Sequence, residues 1–257
     1  MSLVYEKEGR VATITLNRPR VLNALDRETL RLLNEAWADF GQDPGLGVLI
    51  VTGAGERSFC VGADLKEWRA KGTDPHAAAL PELGRTPMRR TDLYKPVIAA
   101  INGLCLGGGF ELALACDLRL ASEEAVLGLP EIKRGIFPGQ GATQRLPRIL
   151  PYNLAAELIL TGETITAKEA WRMGLVNRLT APKELLPQAR ALAKEISELS
   201  PLALSSAKEA LLKSYELPLR EGLELEGRLR TAVGRTKDAR EGVRAFTEKR
   251  KPKFKGR

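Results

Sequence analysis

One stretch of the chain, residues 96–117, constrains the fold more than any other: PVIAAINGLCLGGGFELALACD. It opens with a short apolar run rich in branched side chains, which predicts a buried strand. Three consecutive glycines then lead into FELALA, whose Leu and Ala content favours a helix. Strand, glycine loop and helix together predict an α/β layered fold. The loop also places unpaired backbone N–H groups at a helix entrance, where a ligand oxygen can approach closely.

A single carboxylate, Glu111, interrupts this apolar stretch. A first-turn Glu can simply complement the helix dipole, but a buried carboxylate has a raised pKa and is unfavourable unless it is hydrogen-bonded or used in chemistry. A second carboxylate, Glu131 in the block GLPE, precedes another glycine-rich loop, GIFPGQG. Two such carboxylates favour the functional interpretation, because a pair can divide the roles of general acid and general base.

Composition narrows the class of protein and the kinds of site. With 257 residues, 44% hydrophobic and 28% charged, the chain has the composition of a soluble globular protein of one or two domains. No apolar run approaches the roughly 20 residues that span a bilayer, and the first residues lack a signal-peptide pattern, so we expect a cytoplasmic protein. Its single histidine, His76, lies in a polar stretch, which disfavours Ser-His-Asp and Cys-His mechanisms and a zinc site. Without CxxC spacing, three cysteines are predicted to be reduced core residues: Cys60, Cys105 and Cys116.

Charge is concentrated at one end of the chain. The net charge is +8, yet residues 244–257 hold seven Lys and Arg against one Glu. Such a tail is consistent with RNA binding, with contacts to ligand phosphates, or with a solvated end.

Periodicity and capping patterns predict the remaining elements. Residues 11–17 alternate as a half-buried strand, and Asp26 caps a helix that ends at Gly41. Residues 64–70 predict a short helix, residues 71–91 an irregular loop that shapes a pocket, and residues 175–179 a strand. From residue 200 onward only helices are predicted, with caps at Ser200 and Asp238 and an apolar stripe too thin to fold without a partner surface.

Two blocks, LCLGGGFELALACD and LPEIKRGIFPGQGATQRLPR, resemble the signature blocks of the crotonase superfamily, the enoyl-CoA hydratases and isomerases. The blocks LNRP, NAL, SFCVGADL and AFTEKR support the resemblance, which runs from about residue 3 to the C-terminus. It implies a crotonase-type ββα spiral with two roughly perpendicular sheets over residues 1–199. Residues 200–257 would form an all-helical trimerisation region that also covers the CoA site. The implied assembly is a homotrimer or a homohexamer.

The resemblance also implies a reaction. It is the reversible syn hydration of a 2-trans-enoyl-CoA to a 3-hydroxyacyl-CoA, a step of fatty-acid β-oxidation. The backbone N–H groups of Ala63 and Gly108 would form an oxyanion hole for the thioester oxygen. Glu111 would deprotonate the water, and Glu131 would protonate the alpha carbon. No cofactor and no metal are expected, because coenzyme A is part of the substrate.

By the same resemblance, six further residues would bind substrate or CoA: Arg20, Ala24, Gly62, Asp64, Leu65 and Lys249. Asp64 also fits a helix cap. Two departures from the family pattern, Val61 and Gln140, are placed to touch the acyl pocket. Three alternatives stay open at this stage: a carnitinyl-CoA type dehydratase, an enoyl-CoA isomerase and an RNA-binding relative. Retention of both glutamates favours the hydratase.

Overall fold

Two sheets and a surrounding layer of helices make up the fold of the computed structural model, which describes residues 1–70 and 86–257. The six-stranded sheet has the order β1-β2-β3-β5-β7-β10, and the four-stranded sheet has the order β4-β6-β8-β9. The strands are β1 Leu3–Glu8, β2 Val11–Leu16, β3 Val48–Gly53, β4 Ser58–Cys60, β5 Val97–Ile101, β6 Leu104–Leu106, β7 Leu118–Ser122, β8 Val126–Gly128, β9 Thr164–Thr166 and β10 Arg178–Thr180.

The helices follow the strands in a repeating order. They are α1 Arg27–Gln42, α2 Leu65–Ala70, α3 Gly108–Ala115, α4 Ala142–Ile149, α5 Tyr152–Thr161, α6 Ala167–Arg172, α7 Leu185–Ser197, α8 Pro201–Lys213, α9 Leu219–Gly234 and α10 Lys237–Thr247. Strands β3, β5 and β7 of the large sheet each lead into a strand of the small sheet and then to a helix. This repeated ββα unit is the predicted spiral, and the α/β fold class is confirmed.

The large sheet is buried on both faces, which explains its apolar strands. Every residue of β3 and of β5 is buried, and these two strands pair in parallel. Side chains of one face, such as Ile50 and Ile98, pack against α7 through Leu185 and Ala189. The opposite face contributes to the main core, which α1, α3 and the small sheet complete. Parallel sheets covered on both faces require such near-continuous apolar strands.

Several predicted boundaries are corrected by the structure. Helix α1 is capped by Asp26 as expected, but it continues through Gly41 to Gln42. Of the strand predicted at 175–179, only Arg178–Thr180 forms, because Leu175 and Val176 are buried in the main core directly after α6. The predicted loop at 71–91, with His76, lies largely outside the described residues. From Thr86 onward the chain makes a 3-10 turn, Pro87–Arg89.

The C-terminal segment folds back on the helices that precede it. Asp238 does not cap α10, because Thr236 caps it; Asp238 instead accepts the backbone N–H groups of Lys255 and Gly256 at 2.8 and 2.9 Å. It also accepts the hydroxyl of Ser200, which therefore makes no side-chain cap for α8. These bonds fix the last residues to the helical region. Within the described ranges, no helix is long and apolar enough to cross a bilayer.

Candidate active site

A large cleft of about 2470 Å³ runs between the loop after β4, the start of α3, the loop before α4 and the end of α8. The glycine loop at 107–109 enters α3 through Gly107, whose φ of +55° is in the left-handed region that favours glycine. The loop after β4 meets it, and a Cβ added at Gly62 would lie 2.9 Å from the nitrogen of Gly108. The close approach of these two backbones therefore requires glycine at position 62.

Two backbone N–H groups are presented at this contact. Leu25 holds the loop after β4 through two backbone hydrogen bonds. Its N–H donates to the carbonyl of Gly62 at 2.8 Å, and its carbonyl accepts the N–H of Asp64 at 3.0 Å. The N–H groups of Ala63 and Gly108 have no acceptor among the described residues, and both residues line the cleft. The structure thus brings together the two donors that the sequence predicts for an oxyanion hole.

Glu111 lies one turn into α3 and is only 2% exposed. Its Oε1 accepts the backbone N–H groups of Gln140 at 2.6 Å and Ala142 at 3.0 Å. Burial raises the pKa of this carboxyl to about 7; the two N–H groups and the charge of Arg145 oppose the shift, and the charge of Glu131 adds to it. Glu111 is therefore a carboxylate that can take up a proton near neutral pH.

Glu131 faces the same cleft from the 3-10 turn Pro130–Arg134. Its Oε2 is buried and has no hydrogen-bond partner in the described part of the chain. Burial raises the pKa of this carboxyl above its ordinary value. A Cβ added at Gly107 would lie 3.1 Å from its Oε1, so the glycine loop leaves the space that the carboxyl occupies. An unpaired buried carboxylate oxygen disfavours the charged form of the group, in agreement with the raised pKa.

The loop that holds Glu111 is itself held by side chains that sequence reasoning missed. Arg145 donates from Nη1 to the carbonyl of Met88 at 2.5 Å, and its guanidinium lies close beside Gly141. Thr86 donates its hydroxyl to Oε1 of Gln140 at 2.7 Å. Gln140, expected at the acyl pocket, lines the cleft and also supplies the N–H that binds Glu111. The TQR block of the signature is the only sequence signal for Arg145.

Arg18 stabilises the loop after β4, which carries Ala63, through contacts on the side of this loop that faces α1. Its guanidinium contacts Asp64 at 2.9 Å and Asp26 at 3.2 Å, and it donates to the carbonyl of Ala24 at 2.7 Å. Asp64 also accepts the N–H of Glu67, so it caps α2 as the sequence suggested. Because Asp64 contacts Arg18 and Glu67, its role in the structure is to stabilise this loop.

Of the six residues predicted to bind substrate or CoA, five line the cleft and one does not. Arg20, Ala24, Gly62, Asp64 and Leu65 all line the cleft. Lys249 is exposed just after the end of α10 and is not among the lining residues. The end of α8 lines the cleft through Lys208, Leu212 and Tyr215, among others.

The three cysteine thiols and the acidic side chains of the described residues form no candidate metal site. Burial raises the pKa of Cys60 and of Cys116 to about 12 and raises that of Cys105 as well, as expected for thiols in the core. Across the described ranges, no group of three or more His, Cys, Asp and Glu side chains is placed to hold a metal ion.

Comparison with known proteins places this geometry in a family. The family model described as enoyl-CoA hydratase/isomerase matches residues 6–257. A putative enoyl-CoA hydratase/isomerase of Bacillus subtilis is 47% identical over 250 residues, covering 97% of this chain and 96% of that protein. A carnitinyl-CoA dehydratase of Salmonella arizonae is 44% identical over 259 residues, covering 99% and 98%.

The solved structures agree with this assignment. The crystal structure of an enoyl-CoA hydratase from Bacillus anthracis superposes with a TM-score of 0.94 at 41% identity, covering 100% of both chains. The resemblance to the crotonase superfamily is thereby confirmed. The chain belongs to the enoyl-CoA hydratase/isomerase family.

Proposed function

We propose that this protein catalyses the reversible syn hydration of a 2-trans-enoyl-CoA to a 3-hydroxyacyl-CoA. The observation that carries the proposal is a buried carboxylate, Glu111, and a half-buried one, Glu131, which face one cleft beside two backbone N–H groups that are unpaired among the described residues. Burial raises both pKa values, so proton exchange at these carboxylates falls closer to neutral pH than for ordinary glutamates. The family membership supports an acyl-CoA substrate and hydration in general terms.

Hydration would proceed through one proton transfer at each glutamate. The ionised carboxylate of Glu111 takes a proton from water, and the water oxygen forms a bond to C3 of the enoyl group. The electron pair of the double bond moves toward the thioester, whose oxygen becomes negative against the N–H groups of Ala63 and Gly108. Protonated Glu131 then delivers a proton to C2, and the carbonyl reforms. Proton exchange with solvent water returns Glu111 to its anion and Glu131 to its acid before the next turnover. Dehydration runs through the same steps in reverse.

The state of Glu131 follows from its surroundings. No described residue stabilises its Oε2 by a hydrogen bond, so the neutral acid is favoured there over the anion. Glu111 keeps two N–H donors on Oε1, which favour its ionised form. We assign the acid role to Glu131 and the base role to Glu111 from the family resemblance, and the two N–H donors on Glu111 support this assignment.

Binding of the CoA portion is proposed for the side of the cleft that carries Arg20, Ala24 and Leu65. Arg20 is exposed and has no carboxylate partner in the described chain, so its guanidinium is available to a phosphate. Lys249 lies outside this chain's cleft, and a role for it at the phosphates requires a neighbouring subunit. No redox cofactor enters the proposed reaction.

A carnitinyl-CoA type dehydratase is the second candidate. The 44% identical relative of that name and the polar side chain of Gln140 in the cleft wall favour it. The two candidates share the catalytic groups and differ in the acyl group. An isomerase would need only one of the two carboxylates for its proton transfers.

The test is hydration of crotonyl-CoA, followed as loss of the conjugated-enoyl absorbance and by identification of 3-hydroxybutyryl-CoA. Run in D₂O, the product's relative configuration at C2 and C3 reports whether addition is syn. Purified protein should hydrate crotonyl-CoA and leave a 3-enoyl-CoA largely unconverted. Absence of hydration, with conversion of the 3-enoyl-CoA to the 2-enoyl isomer, would establish the isomerase instead.

A further inference from the structure

A backbone bridge to Leu25 sets the direction of the Ala63 N–H group. The carbonyl of Gly62 accepts the N–H of Leu25 at 2.8 Å, and the carbonyl of Leu25 accepts the N–H of Asp64 at 3.0 Å. The carbonyl of Gly62 and the N–H of Ala63 belong to one trans peptide group, so they point in opposite directions. Since that carbonyl points at Leu25, the N–H of Ala63 points away from Leu25. Any displacement of the bridge therefore turns this donor.

Both sides of the bridge continue directly into a helix that an aspartate caps. Leu25 precedes Asp26, and Ala63 precedes Asp64. Oδ1 of each aspartate accepts the backbone N–H of the residue three positions further on, at 2.7 Å for Asp26 and 3.3 Å for Asp64. These caps begin α1 and α2. The position of the bridge is therefore coupled to the distance between the two caps.

One arginine, Arg18, contacts the second carboxylate oxygen of both aspartates. Its Nη2 lies 3.2 Å from Oδ2 of Asp26 and 2.9 Å from Oδ2 of Asp64, and the three side chains are between 12% and 22% exposed. Its Nη1 donates to the carbonyl of Ala24 at 2.7 Å. Two carboxylate oxygens that contact one nitrogen are at most about 6 Å apart, so the carboxylates repel each other once the cation is removed.

Arg18 acts from outside the cleft, and its own backbone is fixed independently of its guanidinium. It is not among the residues that line the cleft. Its N–H donates to Oδ1 of Asn23 at 3.0 Å, and its carbonyl accepts the N–H of Asn23 at 2.9 Å. Asn23 is fully buried and also donates to the carbonyl of Ser58 at 2.8 Å, at the start of β4. Loss of the guanidinium should therefore shift the bridge while the surrounding loop stays folded.

We propose that Arg18 is a positioning residue of the oxyanion hole: by holding Asp26 and Asp64 together, it keeps the N–H of Ala63 directed at the thioester oxygen. The inference rests on the proposed function, which assigns that N–H group to the thioester. Arg18 touches no substrate atom and acts through the backbone alone. A displacement of about 1 Å in an oriented group can cost about 100-fold in rate, so turnover should respond strongly while binding is largely spared.

The test replaces Arg18 and measures three quantities: kcat for crotonyl-CoA, the dissociation constant of CoA, and the infrared carbonyl frequency of bound butyryl-CoA labelled with ¹³C at the thioester carbon. Butyryl-CoA has no double bond, so it reports on the N–H donors without reacting. The wild type should lower this frequency relative to free butyryl-CoA. Arg18→Met should lose most of the lowering and about 10- to 100-fold in kcat, with less than about threefold change in the dissociation constant of CoA.

Two further variants separate positioning from a general loss of stability. Arg18→Lys should recover part of the frequency shift and part of kcat, because an ammonium group still neutralises the two carboxylates but lacks the fork that also reaches Ala24. Arg57→Met is the matched control. Arg57 is exposed, lies just before β4, does not line the cleft, and donates only to the carbonyl of Pro19 among the described residues. It should leave all three quantities unchanged.

A wild-type carbonyl frequency in Arg18→Met overturns the proposal at any thermal stability, because an arginine that only stabilises the fold leaves the donor in place. The same loss of frequency shift in Arg57→Met also overturns it, as does a wild type that does not lower the frequency at all. If Arg18→Met does not fold, an unchanged frequency in Arg18→Lys refutes the proposal. A wild type that lowers the frequency but does not hydrate crotonyl-CoA refutes the proposed function and leaves the positioning role standing.

Discussion

At the residue scale, the site depends on the protonation of Glu111. Its folded-state pKa is about 7, against an ordinary value of 4.5. The folded protein therefore holds a proton that the unfolded chain releases above pH 4.5, so stability falls as the pH rises from 4.5 through 7 and stays lower above it. Buried carboxylates of this kind are retained at the expense of stability where chemistry needs them.

This gives a stability prediction for Glu111→Gln. The neutral amide can still accept both N–H groups but carries no charge, so the free energy of unfolding should exceed that of the wild type at pH 8 by up to about 3 kcal/mol. At pH 4.5 the difference should nearly vanish. Urea unfolding at both pH values measures it, with Glu124→Gln, an exposed carboxylate, as control. An equal effect at the two pH values would show that burial does not govern the charge of Glu111.

The sequence drew attention to both candidate carboxylates, because Glu111 is an isolated charge in an apolar block and Glu131 precedes a glycine-rich loop. It did not predict Arg145 or Arg18. Their partners are backbone carbonyls and distant carboxylates, such as the carbonyl of Met88, 57 positions from Arg145, and Asp64, 46 positions from Arg18. No local pattern in a single sequence reports a contact of that kind.

At the scale of elements, the proposed oxyanion hole depends on the contact between two loops. Gly62 has a φ of +85°, and a Cβ there would press on the nitrogen of Gly108. We predict that Gly62→Ala lowers kcat/KM for crotonyl-CoA by about 100-fold or more, because the two N–H donors must separate. Gly55→Ala is the control: its φ is +77°, so the strain is similar, but a Cβ there meets only Pro19 at 3.7 Å. Similar losses of activity in both variants would mean that backbone strain alone matters.

The loop before α4 provides a second prediction. Arg145 holds this loop to Met88, and its charge lowers the pKa of Glu111. Arg145→Met should therefore lower kcat by about 10- to 100-fold and move the acidic limb of the kcat/KM profile to higher pH. Arg148→Met should leave the limb in place, because Arg148 lies on the same helix and, among the described residues, bonds only to Gln144 of that helix. A lower kcat with no shift of the acidic limb would show that Arg145 supports only the structure of the loop.

The start of a helix was predicted best where a capping residue and the helical period of apolar residues indicated the same position. The Asp26 cap forms as expected, and a capping box of Thr166 and Glu169 begins α6. The strand at 175–179 was overpredicted because an apolar run fits a core loop as well as a strand, and tertiary packing decided between them. Asp238 resembled a helix cap in the sequence. In the structure its carboxylate instead accepts backbone N–H groups of the C-terminal segment, from Lys255 and Gly256.

At the scale of the whole molecule, the C-terminal helices present apolar side chains to solvent. Helix α9 has no buried residue, and Leu219 and Leu223 are 80% and 56% exposed. Val243 and Phe246 on α10 are 71% and 88% exposed. Apolar surface on this scale marks an interface between proteins. The division at residue 199 and the trimeric or hexameric assembly remain predictions.

Light scattering during gel filtration tests the assembly. We predict a mass three or six times the 28.1 kDa of one chain, and partial dissociation on Leu223→Glu or Phe246→Glu. Thr231→Glu, an exposed polar position on α9, is the control for added charge. A wild-type mass of one chain at micromolar concentration would refute the predicted interface.

The central claim is that Glu111 and Glu131 together hydrate an enoyl thioester. The most direct measurement is the kcat for crotonyl-CoA of the wild type, Glu111→Gln, Glu131→Gln and the double variant, each shown to be folded by circular dichroism. We predict that each single variant loses about 1000-fold or more and that the double variant is little worse than either, as for groups that act as a unit. A single variant within tenfold of the wild type would contradict the two-carboxylate mechanism.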